Sequence, residues 1–396
     1  MTETRVIPLS LAERDRRWQA IRARMAERRL DCLVIRGISS KWDSGTANVR
    51  YISQIGGNGE EAMAVFPLDR DPVVFIWAPS QLEWWPIAQD WVHDVRQGSP
   101  TWAGRTADCL RELGYVRGRI GVVGIGGRNE AGKIMSYDIY RALLDVLPDA
   151  QFEAASDILE DVRVVKSPEE IEFLARSAHL CDVAVQAMLQ AARPGVRAYE
   201  VYGEILGAVF RAGGESPMFL MYEADPEPRH ALRFPSDRVL QAGYMLIQEI
   251  SPKYAGYWTQ VMVPVVLGEP IPLYRQIAEV AERAYREGLK AIRPGATTND
   301  VAEAINRPIA EAGYTWYRPQ FQGLGLEQSE EPHDRNFRGA LVETEPVPLE
   351  EGMVLGLQPL VATADRRYGL QLGDTVTVTR DGVRVLGETN MALYCV

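Results

Sequence analysis

The feature that most constrains how this 396-residue chain can fold is an internal repeat. Ala192-Arg193-Pro194-Gly195 recurs as Ile292-Arg293-Pro294-Gly295, 100 residues further on. Each copy follows a stretch with apolar residues at helical spacing and precedes a second one. Those second stretches end in Ala212-Gly213 and Ala312-Gly313, again 100 apart. Gly243-Tyr244-Met245-Leu246-Ile247-Gln248-Glu249 and Gly352-Met353-Val354-Leu355-Gly356-Leu357-Gln358 are each a glycine, an apolar strand and then a polar residue. Three matches in one order predict a duplicated helix–helix–strand unit whose halves pack about a pseudo-twofold axis. A site between such halves is lined by equivalent strand ends, here Glu249 and Gln358.

Upstream of the repeat the pattern changes. Residues 13–30 have helical spacing, and Cys32-Leu33-Val34-Ile35 is a short apolar run typical of a buried strand. Residues 62–66, 72–77 and 119–124 read as further strands, so the first third predicts an α/β domain with a partly parallel sheet. Residues 159–165 read as a strand or connector. Ser167-Pro168-Glu169-Glu170 then combines an N-cap serine, a proline at the first helical position and a glutamate three residues after the serine. That capping box opens a long helix to about residue 189 and marks the start of a new domain.

Composition removes several functions. The net charge of −11 repels phosphate, which disfavours nucleic acid and anionic membranes as partners. No apolar run reaches the roughly 18 residues of a membrane span. The first residues are polar, without a signal-like apolar region, so a cytoplasmic location is expected. Cys32, Cys109, Cys181 and Cys395 are scattered, which fits reduced thiols better than a disulfide framework or zinc site. The segment Gly127-Arg128-Asn129-Glu130-Ala131-Gly132-Lys133 matches most of a phosphate-binding loop, but Ile134 stands where a magnesium-binding hydroxyl is needed. It reads as a strand-to-helix turn. No Gly-x-Ser-x-Gly elbow is present, so a serine hydrolase of that class has no support.

The C-terminal half carries the chemistry. Lys253-Tyr254-Ala255-Gly256-Tyr257-Trp258-Thr259-Gln260 reads as a hairpin, and Phe321-Gln322-Gly323-Leu324-Gly325-Leu326-Glu327 as a glycine-rich polar segment. With residues 163–172, the Arg-Pro-Gly turns, Glu350-Glu351-Gly352-Met353-Val354 and Asp374-Thr375-Val376, they resemble the creatinase, prolidase and aminopeptidase P family in order and spacing. Asn48-Val49-Arg50-Tyr51-Ile52-Ser53 is similar to a strand of that family's first domain. The resemblance implies an α/β (α+β) protein. A creatinase-like α/β domain, residues 1–162, is followed by a pseudo-twofold pita-bread domain, residues 163–396. It also implies a homodimer.

The departures from the family pattern are chemical. In its metallopeptidases two Asp, one His and two Glu hold a pair of divalent metals, and the motif match puts those positions at Glu249, Gln260, Gln322, Gln358 and Gly373. One carboxylate, three neutral amides and a residue without a side chain are a poor set for hard cations. A further family histidine falls on Ser329. No metal and no cofactor are therefore expected. His230 resembles the family's substrate-facing histidine, which in metal-free creatinase is the acid/base group. An imidazole can take and return a proton near neutral pH without metal. His93 and His179 lie on amphipathic stretches and read as structural.

Glu249 has three roles open to it: a second acid/base group, an anion that binds a cationic substrate group, or a buried carboxylate paired with arginine. Gln260, Gln322 and Gln358 either fix a polar substrate or fill a vacated metal cavity. Trp258, with Tyr257, is a candidate aromatic wall for the substrate. Glu327, Glu330, Glu331 and His333 read as a solvated acidic loop. Creatinase's substrate-binding carboxylates fall near the apolar Met262 and Val263 and on Gln358, so creatine itself is disfavoured. The expected function is metal-independent hydrolysis or elimination at a C–N bond of a small polar amide, lactam or amidine. His230 and Glu249 are the catalytic candidates, and Gln260, Gln322, Gln358 and Trp258 the substrate-binding ones. The competing readings are a non-catalytic peptidase-like binding protein, and an Xaa-Pro-type metallopeptidase with substitute ligands such as Glu249, Glu327, His333 or Asp374.

Overall fold

In the computed structural model, which describes residues 9–57, 59–228, 235–328, 330–334 and 345–396, the apolar run at Cys32 becomes part of the centre of a sheet. One compact unit comprises residues 1–164 with 326–328, and the other residues 165–325 with 329–396. The first unit runs α1 (Leu11–Glu27), β1 (Cys32–Ile38), α2 (Ala47–Ser53), β2 (Glu61–Pro67), β3 (Val73–Ile76), α3 (Trp85–Ala88), β4 (Asp94–Gln97), α4 (Trp102–Glu112), β5 (Arg119–Val123), α5 (Tyr137–Val146), β6 (Gln151–Ala154) and α6 (Ser156–Val162). Its sheet order is β4-β3-β2-β1-β5-β6, antiparallel at β1–β2 and β2–β3 and parallel elsewhere. A strand covered on both faces has no reason to alternate, which is why Cys32, Leu33, Val34 and Ile35 are all buried.

Two local expectations are overturned here. Residues 48–53 form helix α2, not a strand. Asn48 donates to Ala131 O (3.2 Å) and accepts from Arg163 Nη1 (2.7 Å), contacts distant in sequence that outweigh the local strand preference of Val49, Tyr51 and Ile52. Residues 159–162 belong to helix α6, whose Ser156 Oγ accepts from Gly124 N (2.9 Å) and so anchors the helix start at the end of β5. The loop resembling a phosphate site is filled by the chain's own anion. Glu160 accepts from the backbone N–H groups of Arg128 (3.1 Å) and Asn129 (3.0 Å).

The second unit contains the repeat: α7 (Pro168–Ala191), α8 (Ala198–Arg211), β7 (Glu215–Asp225) and β8 (Met245–Tyr254) are echoed by α9 (Pro272–Ala291), α10 (Thr298–Glu311), β11 (Phe321–Gly323) and β12 (Val354–Leu357). Between and after them come β9 (Tyr257–Trp258), β10 (Val265–Val266), β13 (Leu360–Ala362), β14 (Gly369–Gln371), β15 (Thr375–Thr379), β16 (Gly382–Val385) and β17 (Tyr394–Cys395). The duplication extends to single hydrogen bonds. Gly195, at φ 94°, donates to Leu240 O (2.9 Å), and Gly295, at φ 83°, donates to Leu349 O (2.9 Å). In return Leu240 N reaches Val196 O (2.8 Å) and Leu349 N reaches Ala296 O (2.7 Å). Glycine is needed at both turns because the left-handed conformation penalises a Cβ.

The strands form the order β17-β10-β8-β7, with β9 on β8, the order β11-β12-β15-β16, and a β13–β14 pair. This is the pita-bread architecture that the family resemblance implies. The capping box forms as read: Ser167 Oγ accepts from Glu170 N (3.2 Å), while Glu170 accepts from Ser167 N (2.9 Å). Ala255 (φ 49°) and Gly256 (φ 85°) close the β8–β9 hairpin, both in the left-handed region that two-residue hairpins favour.

Candidate active site

Strand alternation decides which way β8 presents its polar residues. Gln248 turns towards α7, donating to Val263 O (2.7 Å) and approaching Met188 Sδ (3.2 Å). Glu249 therefore turns to the opposite face, where it is buried. There Arg318 Nη1 donates to Glu249 Oε1 (2.7 Å) and Gln260 Nε2 to Glu249 Oε2 (3.3 Å). Gln322 Nε2 donates in turn to Gln260 Oε1 (3.0 Å). Three of the sequence-derived residues thus form one hydrogen-bonded chain that ends on a carboxylate.

The backbone holds this chain in place. Gln260 is fixed at both its peptide groups by Thr375 Oγ1, which accepts from its N–H (2.9 Å) and donates to its carbonyl (3.1 Å). Gly356 pairs with Gln322 between β12 and β11, and a Cβ there would press on Leu324 Cδ1 (3.1 Å) while only touching Gln260 Oε1 (3.5 Å). Gln358 lies at the edge of the group. Its Nε2 donates to Pro319 O (3.0 Å), beside Arg318, and its own carbonyl accepts from Gln371 Nε2 (3.1 Å).

Burial holds the Glu249 carboxyl above the usual carboxylate range, a rise that the Arg318 guanidinium and the Gln260 amide oppose without reversing. Arg318 gives Glu249 the arginine partner that is one of the three roles open to it, and the pair leaves contact with a substrate possible. Arg318 was not legible as part of the site. It stands in an aromatic loop four residues before Gln322, and the one signal for it is that an isolated buried carboxylate requires a cation. Its side chain keeps 37% of its exposure, so the guanidinium is half in solvent.

Other candidates are placed differently. The Trp258 indole is fully buried, with its ring 5.6 Å from that of Phe219, and Tyr257 donates its hydroxyl to Glu170 (3.0 Å). Both rings pack in the core under the hairpin. The acidic residues after the glycine-rich segment are not a solvated loop: Glu327, Glu330 and Glu331 are buried. Glu327 pairs with Arg163 (3.0 Å) and Glu330 with Lys166 (2.9 Å), so cations balance those two carboxylates, and His333 Nδ1 lies 3.3 Å from Glu331. His230 and Ser329 lie outside the described residues.

A pair of divalent metals does not fit this set. Among the described residues no group of three or more His, Cys, Asp or Glu side chains converges. Glu249 already has a guanidinium as counter-ion, and the suggested substitutes are engaged elsewhere: Glu327 with Arg163, His333 with Glu331, and Asp374 accepting from the Tyr285 hydroxyl (2.8 Å). Gly373 is more than a missing carboxylate. A Cβ at that position would stand 2.1 Å from the Leu357 carbonyl oxygen, so the backbone has closed over the space a side chain would need.

Residues 172–380 match the Metallopeptidase family M24, and residues 17–165 match the Creatinase/Prolidase N-terminal domain. An Xaa-Pro dipeptidase of Pyrococcus furiosus is 26% identical over 263 residues, 65% of this chain and 73% of that protein. A creatinase of a Bacillus species is 27% identical over 267 residues, 66% and 63% of the two chains. Among solved structures, an X-Pro aminopeptidase from Thermotoga maritima superposes with a TM-score of 0.81 over 96% of this chain and 99% of its own, at 18% identity, and so shares the fold.

Proposed function

The chain belongs to the metallopeptidase family M24, a family of carbon–nitrogen hydrolases, and from that premise we propose that it hydrolyses a C–N bond of a small polar molecule without a resident metal pair. The observation that carries this reading is the chain Arg318–Glu249–Gln260–Gln322. Peptidase relatives of this family need paired cations between carboxylates, whereas here a guanidinium supplies the positive charge and amides supply the remaining polar groups. A neutral amide orients a substrate by donating and accepting hydrogen bonds but does not activate water.

The proton must therefore be moved by another group, and His230 is assigned that role from its sequence match alone. In this reading Glu249, paired with Arg318, orients a cationic or N–H-bearing part of the substrate. Gln260, Gln322 and Gln358 fix its carbonyl and amide groups. Amides, lactams and dipeptides all present such groups. The finer expectation of a cytoplasmic homodimer belongs to the same reading, and light scattering on the purified protein tests the dimer.

His230→Ala is expected to abolish turnover of any substrate found in a screen of small amides, lactams and dipeptides, while the circular dichroism spectrum and thermal midpoint stay unchanged. Undiminished turnover by that variant would remove His230 from the mechanism. A screen with ligands bound but none turned over would favour a non-catalytic binding protein.

A further inference from the structure

The internal repeat supplies its own control. At an offset of 100 residues α7 and α9 show closely matching burial, so their outward positions are equivalent. On α9 those positions include Arg283, Arg286, Glu287 and Lys290, which find partners close by. Arg286 pairs with Glu282 (3.5 Å), Lys290 with Glu287 (2.8 Å) and Arg283 with Glu311 of α10 (2.8 Å). That is a solvated helix face. On α7 the same positions hold Val183, Gln186, Ala187 and Gln190, with no charge among them. Helix α8 departs from α10 in the same direction: Tyr199 (48% exposed) and Phe210 (52% exposed) stand where α10 has Asn299 and Ala310. Between α7, α8 and residues 388–389 runs a groove of about 890 Å³, lined in part by Val183, Ala187, Val196 and Val201. Its charged residues are Asp182, Glu200, Glu204 and Glu388 against Arg193 and Arg211, besides the imidazole of His179. Arg211 pairs with Glu204 (3.5 Å), whereas Asp182 and Glu200 are held by neutral donors. Asp182 accepts from Glu388 N (3.0 Å) and Thr389 N (2.9 Å), and Glu200 from Arg197 N (2.6 Å). Among the described residues no cation pairs with Asp182, Glu200 or Glu388. Asp182 thus keeps the acid that α9 has at Glu282, while three neighbouring cations have given way to neutral side chains.

We propose that the α7–α8 groove is a docking site for a basic amphipathic helix of another protein. The apolar stripe of such a helix covers Val183 and Ala187, and its lysines or arginines reach Asp182, Glu200 and Glu388. It thereby supplies from outside the ion pairs that α9 makes within its own half. A helix laid by its apolar face into a groove is a recurring recognition mode, in which apolar contact gives affinity and charge selects the partner. The walls here are helices and residues 388–389, so no strand edge is offered to an extended chain. The inference stands apart from the chemistry at Glu249.

The probe is a synthetic peptide of about 15 residues with leucine on one helical face and lysine on the other, long enough to hold a helix. Two control peptides share its length: leucine with glutamate, and oligolysine. Titration calorimetry on the full-length protein should give the leucine–lysine peptide a Kd on the order of 10 µM and each control at least roughly tenfold weaker binding. Val183→Arg, Gln186→Arg and Gln190→Lys together give α7 the cations of α9 and should weaken the peptide roughly tenfold or more. Glu388→Lys, a single change at an exposed position, should weaken it several-fold. Gln19→Lys, Ala23→Lys and Ala26→Lys add the same charge at exposed positions of α1 and should leave binding as in the wild type. Circular dichroism checks that each variant is folded. No binding at about 100 µM, a control peptide that binds as tightly, or equal weakening by the α1 and α7 variants overturns the proposal. So does a wild-type dimer that the α7 variant converts to a monomer in light scattering, because the occupant is then a second copy of this chain.

Discussion

At the scale of single residues, the candidate site is governed by what burial does to charge. Asp374 is nearly enclosed, its Oδ2 has no hydrogen-bond partner among the described residues, and burial raises its pKa from 3.8 to about 7 against the Tyr285 hydrogen bond. A carboxyl whose folded pKa is raised stabilises the fold most below its unfolded pKa, and that contribution is lost as pH rises through the folded value. Asp374→Asn cannot titrate. The stability of the wild type relative to that variant should therefore fall between pH 3.8 and about 7, with a slope approaching about 1.4 kcal/mol per pH unit, and then level off. Urea unfolding of both proteins across that range measures it, and parallel curves would refute it. Gly373 makes the complementary case for shape. Gly373→Glu should cost about 3 kcal/mol or more, since a Cβ there would collide with the Leu357 carbonyl. A variant as stable as the wild type in chemical denaturation would show that the backbone relaxes freely.

At the scale of elements, helix α7 ties the hairpin to the rest of its unit. Its N-cap Ser167 and N3 residue Glu170 close the capping box, and Glu170 also accepts from the Tyr257 hydroxyl (3.0 Å) at the foot of β9. The residues preceding it, Val165 and Lys166, lie against Gly352, where a Cβ would approach the Lys166 carbonyl to 2.8 Å. Ser167→Ala should cost about 1 kcal/mol, the usual contribution of an N-cap side chain, and denaturant midpoints report it. An unchanged midpoint would mean that packing alone defines the helix start. The box was readable in the sequence because capping is local: three residues and their spacing suffice. The segment at residues 48–53 was not, because its helix is held by Ala131 and Arg163, whose approach no local pattern records.

At the scale of the whole molecule, the duplicated unit sets two polar strand ends, at Glu249 and Gln358, into one pita-bread domain. Removal of metal is the discriminating experiment. Dialysis against EDTA should leave thermal midpoint and turnover unchanged, and elemental analysis of the purified protein should find manganese, zinc and cobalt well below one ion per chain. Stoichiometric metal would contradict the donor-set argument. The repeat, the capping box and the family motifs were all determined by the sequence alone, because each is a matter of spacing along the chain and of backbone geometry that only certain residues permit. The amide side chains at Gln260, Gln322 and Gln358 and the bare glycine at Gly373 are likewise read directly from the sequence. Tertiary structure alone decided that Arg318 neutralises Glu249, that Trp258 packs in the core, that Glu160 fills the phosphate-like loop, and that the acidic residues after the glycine-rich segment are buried ion pairs. A buried charge takes its partner from whatever element folds next to it, and that proximity is not written in local spacing.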